Sequence, residues 1–147
     1  MTPRRLVAAI SIAACSLAYG IQANAAEHPG VKIYATGGTI AGSSASSTDT
    51  TNYKSGSLGV QALLDAVPEL ADVAEVTGEQ IANTGSSNID QEILLKLSKA
   101  INEELATDAT HGVVITHGTD TLEETGFFLD LTVDSNKPVV MVGAMRP

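Results

Sequence analysis

The sequence predicts an α/β protein, an open and mostly parallel sheet with helices on its faces. Three observations carry that expectation. Apolar, β-branched runs recur at Val31–Ala35, Val73–Ile81, Val113–Ile115 and Pro138–Gly143. Segments with helical apolar spacing lie between them, giving the order β-α-β-α-β-α-β, which calls for right-handed crossovers in one sheet. The strand runs are followed by turns around Thr39, Ser86, Thr119 and Ala144. Parallel strands bring such turns to one edge of the sheet, where open α/β folds bind ligands.

Each element has its own local reason. Val31–Ala35 is followed at once by Thr36-Gly37-Gly38-Thr39-Ile40-Ala41-Gly42, and paired glycines permit a tight turn that brings backbone N–H groups close to a ligand. Neither a dinucleotide fingerprint nor a Walker pattern is present there. Ser43–Gly56 is rich in Ser and Thr, carries a lone Tyr53 and has no apolar periodicity, so it reads as a mobile loop. Val60–Val67 has helical spacing and is stopped by Pro68. After the second strand run, Asn83-Thr84-Gly85-Ser86-Ser87-Asn88 is a polar turn, and Asn88 with Gln91 can cap the next helix. Ile93, Leu94, Leu97, Ile101 and Leu105 form that helix's apolar stripe. Val113–Ile115 reads as a strand buried on both faces. Thr121 and Glu124 have capping-box spacing at the start of a helix over Leu122–Leu131. Gly126 weakens that helix by about 1 kcal/mol relative to Ala. Asp134-Ser135-Asn136 is a turn before the last strand.

Composition narrows the class. Hydrophobic residues make up 44% of 147 residues, enough for one ordinary domain, and the low aromatic content of 3% suits an Ala/Val/Ile/Leu core. Residues 1–25 read as an export leader. Arg4 and Arg5 precede an apolar stretch, Leu6–Leu17, and Ala23-Asn24-Ala25 is a small-x-small cleavage site. The apolar stretch is shorter than the roughly 20 residues that span a bilayer. Ile12-Ala13-Ala14-Cys15 loosely resembles a lipidation box, but the cleavage site after Ala25 is the better one. The expected mature chain, residues 26–147, is periplasmic or secreted and holds no cysteine, because Cys15 is the only one. Loss of two Arg and no acid changes the balance from 8 − 17 = −9 to 6 − 17 = −11. Such a surface disfavours nucleic acid and anionic lipid, and points to a small-molecule ligand.

The polar residues expected at the shared edge are Thr39, Tyr53, Ser86, Ser87, Thr119 and Asp120. A set dominated by hydroxyls fits polar-ligand binding or nucleophilic acyl transfer. A threonine nucleophile needs a base or a lowered pKa. Each residue also has an ordinary reading. Asp120 suits a helix N-cap, and Glu123 and Glu124 suit a dipole-compensating first turn. Ser86 and Ser87 are common turn formers, and Tyr53 can be a plain surface residue. His117, beside Gly118, reads as a structural hydrogen-bonder, and no second His or Cys stands at metal-ligand spacing.

Two stretches are similar to the bacterial type II L-asparaginases: Ala35-Thr36-Gly37-Gly38-Thr39-Ile40-Ala41-Gly42, and Thr116-His117-Gly118-Thr119-Asp120-Thr121 followed by Glu123-Glu124-Thr125. Gly78-Glu79-Gln80 and Lys137–Pro147 match in place. The resemblance implies that Thr39 attacks the side-chain amide of L-asparagine, giving a β-aspartyl ester that water hydrolyses, with Tyr53 as activating partner. It implies that Thr119 helps form the oxyanion site and positions water together with a lysine. Asp120 would hold the substrate α-amino group, Ser86 its α-carboxylate, and the Ala144 carbonyl the amide NH₂. It implies no cofactor and a homo-oligomer, tetrameric in full-length relatives. Ser87 stands where the family has Gln, which bears on asparagine against glutamine, and Gly126 stands where it usually has Ala. Family members are much longer than 147 residues, so the chain resembles an N-terminal fragment without that lysine or the acidic residue lent by a neighbouring subunit. The fragment alone is expected to have little or no activity. A glutaminase-asparaginase and a periplasmic amino-acid binding protein without chemistry are the competing readings.

Overall fold

Parallel pairing organises the main sheet. In the computed structural model, which describes residues 28–44 and 53–145, strand β1 (Gly30–Gly37) is the hub. The other sheet strands are β4 (Glu75–Thr84), β5 (Gly112–Thr116) and β6 (Val139–Val142). Their spatial order is β4-β1-β5-β6, and every neighbour pair is parallel. Ile33 pairs with Gly78 on one side and with Val114 on the other.

Helix placement follows from the strand order. The step from β1 to β4 goes one way across the sheet, through helix α1 (Val60–Asp65). Those from β4 to β5 and β5 to β6 go the other way, through α2 (Gln91–Leu105) and α3 (Leu122–Thr132). Right-handed crossovers in opposite directions must put their helices on opposite faces. They do. The Tyr34 hydroxyl donates to Ala100 O of α2 at 3.0 Å, whereas α1 sits on the Ile33/Gly78 face, its Val60 N–H donating to Gln80 Oε1 at 2.8 Å. The core on the α2/α3 face joins Tyr34, Ile81, Leu97, Ile101, Leu105, Val113, Ile115 and Leu129. Ser98 and Asn102 of α2 lock onto the end of α3, with Ser98 Oγ 2.9 Å from Thr132 Oγ1 and Asn102 Nδ2 donating to Thr132 O at 3.0 Å. Burial, with Glu104, Glu79 and Glu103 nearby, pushes the Tyr34 phenol well above its ordinary pKa.

Five local expectations are corrected. The Ser43–Gly56 stretch is not structureless throughout, because β2 (Ser43–Ser44) and β3 (Tyr53–Lys54) pair antiparallel at its ends; residues 45–52 lie outside the described residues. The cap of α2 is Asp90, whose side chain accepts from Ile93 N at 2.9 Å, in place of Asn88 or Gln91. Thr121 stands at the N-cap of α3 without a capping hydrogen bond, because its hydroxyl is drawn to Ser86 O at 3.0 Å. Helix α1 ends at Asp65, short of Val67, and a 3₁₀ turn over Pro68–Asp72 follows. Strand β5 is buried fully on the α2/α3 face only. Val114 on the other face is half-buried, and its neighbour Val140 is 49% exposed. The export leader, residues 1–25, also lies outside the described residues.

Candidate active site

Thr39 opens a short 3₁₀ turn, Thr39–Ala41, directly after the paired glycines. Its hydroxyl is 2.8 Å from the Tyr53 hydroxyl, and either atom can donate. The residue is only 8% exposed, so bulk water competes little for that bond. The hairpin bearing Tyr53 is fastened to the turn by backbone bonds. Gly56 N–H donates to Gly38 O at 3.0 Å, and Ser57 and Leu58 N–H donate to Ala41 O at 2.8 and 2.9 Å. Tyr53 therefore comes to Thr39 on a fixed arm.

The β1 and β5 turns touch backbone to backbone. Gly38 has φ 78°, a region that side chains avoid, and a methyl group on it would stand 2.4 Å from both N and Cα of Gly118. One on Gly118 would in turn stand 2.6 Å from Ser86 Oγ and 2.7 Å from Ser86 Cβ. Three turns from distant parts of the chain thus close on one seam that has no room for a side chain. Thr39 and Thr119 are each the residue after a seam glycine.

Beyond the seam, Ser86 knots two turns together. Its hydroxyl accepts from Asp120 N–H at 3.1 Å, leaving its own proton available, and its carbonyl accepts from Thr121 Oγ1 at 3.0 Å. Ser87 Oγ donates to Asp120 Oδ2 at 3.2 Å. Ser86 is buried, while Ser87 and Asp120 are exposed, so the carboxylate faces solvent from a pinned backbone. The ordinary reading of Asp120 as the N-cap does not hold, since Thr121 occupies that position. The β6 turn also arrives here. A methyl group on Gly143 would lie 3.2 Å from Thr119 Cγ2, so Ala144 follows a residue that already abuts Thr119.

His117 is fully buried; its ring Nδ1 is 2.7 Å from Gly118 O and its Nε2 is 3.1 Å from Thr125 Oγ1. Several lysines are engaged elsewhere: Lys96 with Ile81 O at 3.2 Å, Lys32 with Glu79 at 3.5 Å, Lys99 with Glu103 at 3.8 Å, and Lys137 with Thr107 O. Among the described residues, no group of three or more His, Cys, Asp or Glu side chains could hold a metal ion.

Of the residues expected at the edge, Thr39, Ser86, Ser87, Thr119 and Asp120 lie on its turns, and Tyr53 reaches them from strand β3 of the separate hairpin. Thr39 and Tyr53 touch directly, and Ser86, Ser87 and Asp120 form a second cluster. Thr119 and Ala144 border that cluster. Missed from the sequence are the role of Thr121 as a tie to Ser86 and that of Thr84, whose carbonyl accepts from Gly38 N–H at 2.8 Å. No local pattern signals either contact.

A family model described as "Asparaginase, N-terminal" matches residues 30–147, which include every turn just described. The chain belongs to the asparaginase family. Asparaginases similar to it include L-asparaginase 2 of Bacillus subtilis, 63% identical over 119 residues, covering 81% of this chain and 32% of that protein. L-asparaginase 2 of Escherichia coli is 53% identical over 135 residues, covering 92% and 38%. Among solved structures, that of a probable cytoplasmic L-asparaginase from Campylobacter jejuni superposes with a TM-score of 0.78 at 52% identity, covering 81% of this chain and 36% of that one. The chain therefore spans about a third of the length of these asparaginases, 32% to 38%.

Proposed function

We propose that these residues form the nucleophile and substrate-grip half of an amidohydrolase site that converts L-asparagine and water to L-aspartate and ammonia. The contact that carries this reading is the 2.8 Å hydrogen bond between Thr39 Oγ1 and the Tyr53 hydroxyl. In the proposed reaction, Thr39 Oγ attacks the side-chain amide carbon. Its proton passes to the Tyr53 oxygen as the Tyr53 hydroxyl proton passes on to the departing nitrogen, so the C–N bond breaks with ammonia leaving and Tyr53 neutral again. Water then opens the resulting β-aspartyl ester and returns the proton to Thr39. An adjacent proton acceptor is what a weak hydroxyl nucleophile requires.

The second cluster supports the grip. Asp120 is exposed on a pinned backbone and suits the substrate ammonium. Ser86 accepts one hydrogen bond and has a proton left for the α-carboxylate. Thr119, between the clusters, is proposed to donate to the developing oxyanion, a role in which one preorganised donor is worth about 10²–10³ in rate. The Ala144 carbonyl is proposed to receive the amide NH₂. From the resemblance to full-length asparaginases, the lysine paired with Thr119 in the water step is proposed to come from outside this third of the asparaginase length. Export to the periplasm or beyond is proposed from the leader, and a homo-oligomer from the resemblance to full-length asparaginases.

The test is ammonia release from L-asparagine by the protein as its gene encodes it, against Thr39→Ala. Loss of turnover with aspartate binding retained is expected. Retained turnover in Thr39→Ala would refute the reading, and aspartate binding without turnover in the unsubstituted protein would favour a binding protein. A broader glutaminase-asparaginase is favoured by one feature, the short Ser87 side chain beside Asp120, which leaves more space there than Gln would.

A further inference from the structure

We infer that His117 is a positioning residue that aims the Thr119 backbone N–H into the site, through the carbonyl of Gly118. This rests on the amidohydrolase reading above. Gly118 O can only accept, so the ring nitrogen 2.7 Å from it, Nδ1, carries the proton. A neutral ring then presents Nε2 as an acceptor, and the Thr125 hydroxyl, 3.1 Å away, is the donor that fills it. Both groups are shut away from water, His117 at 0% and Thr125 at 2% exposed. Thr125 belongs to the first turns of α3, where its N–H donates to Thr121 O at 3.1 Å. The tautomer is thus set by a helix in the core.

The consequence lies on the far side of the peptide bond. Gly118 C=O and Thr119 N–H share one planar unit and point in opposite directions. Holding the oxygen inward on the buried ring turns the Thr119 N–H the opposite way, out from the buried ring. The flanking backbone is fixed independently, with His117 N–H donating to Val142 O at 2.9 Å and Asp120 N–H to Ser86 Oγ at 3.1 Å. Among the described residues no acceptor meets the Thr119 N–H, so this donor is left for a ligand. Glycine at 118 makes the peptide easy to rotate, which is why an external hold on its carbonyl has an effect.

Two substitutions separate aiming from mere filling. His117→Asn places an amide N–H near the Nδ1 position and keeps a donor for Gly118 O. His117→Gln places its amide near Nε2, satisfying Thr125 but releasing the carbonyl. Steady-state ammonia release and urea midpoints are measured for both in the protein as its gene encodes it. His117→Gln is expected to lower kcat about tenfold with KM nearly unchanged, a fraction of what losing an oxyanion donor outright removes. His117→Asn should hold kcat within about threefold even where its midpoint falls as far. Equal losses in both variants that follow the midpoints, or a rise in KM at constant kcat, would overturn the proposal.

NMR supplies a readout that does not need turnover. Long-range ¹H–¹⁵N spectra should show His117 protonated at Nδ1. The Thr119 amide resonance should broaden in His117→Gln and stay sharp in His117→Asn. An Nε2-protonated ring, or a Thr119 amide indifferent to both changes, would overturn the proposal. Absence of ammonia release from the unsubstituted protein would sink the amidohydrolase reading instead, and the NMR result would then decide the positioning role alone.

Discussion

Adding one methyl group at Gly38 should be among the most damaging single changes in this protein, and its size can be worked out. Gly38 has φ 78° and ψ −174°, a region essentially reserved for glycine, where another residue costs about 1–3 kcal/mol. The new Cβ would stand 2.4 Å from the Gly118 N and Cα. Both are backbone atoms that cannot rotate aside, and forced overpacking costs about 1–3 kcal/mol more. The sum of about 2–6 kcal/mol is a large part of a normal domain stability of about 5–15 kcal/mol. Equilibrium urea unfolding followed by far-UV circular dichroism should show Gly38→Ala shifted down by about 1–3 M at an m-value near 2 kcal/mol/M. Gly126→Ala is the internal control. It is a helix-interior site where a Cβ would meet Met141 Sδ at 3.5 Å, an ordinary contact, so it should gain about 1 kcal/mol. An unchanged midpoint for Gly38→Ala would mean that the two turns do not touch as described, and the seam argument would fail.

Three further outcomes are expected. The folded-state pKa of Tyr34 lies above its value in the unfolded chain, so the stability it contributes is full below about pH 10 and is lost as pH rises from there toward the folded pKa. Tyr34→Phe should flatten that alkaline decline of the urea midpoint, and an identical decline in both proteins would discard the explanation. Asp90→Ala removes the cap on Ile93 N–H and should lower stability by about 1 kcal/mol, whereas Asn88→Ala should change it far less; the reverse order would contradict the assignment. Ser87→Gln should raise asparagine over glutamine turnover by up to about tenfold, the value of a methylene-sized fit in a pocket; an unmoved ratio would dismiss Ser87 as a specificity determinant.

The sheet and its helices are legible in the sequence because burial writes periodicity directly. Leu97, Ile101 and Leu105 repeat every four residues and are the buried apolar residues of α2, with Ser98 buried beside them. The runs at Val31, Val113 and Val139 are the strands where β-branched residues pack on a pleat. The convergence of four turns then follows from parallel topology alone. Contacts that depend on competition between partners are not legible. Thr121 and Glu124 have the spacing of a capping box, yet a tertiary acceptor, Ser86 O, takes the hydroxyl. Asn88 and Asp90 are equally good caps on composition, and only the helix phase selects Asp90. The β2–β3 hairpin pairs two residues with two, too short for any alternation to show. His117 was readable as a structural hydrogen-bonder from its place beside Gly118. That its ring reaches the neighbouring carbonyl depends on Thr125, eight residues away on a helix. The individual roles of Thr39, Tyr53 and Asp120 come from resemblance to the asparaginases, and from spacing only in so far as the topology brings them to one edge.

The central proposal is that Thr39 is the nucleophile, and a covalent intermediate tests it most directly. The protein as its gene encodes it is mixed with L-asparagine, quenched in acid during turnover, and mapped by peptide mass spectrometry. A β-aspartyl ester on the peptide containing Thr39, absent from Thr39→Ala, is the expected result. Sustained ammonia release from Thr39→Ala, or an aspartyl adduct on a different residue, would contradict it.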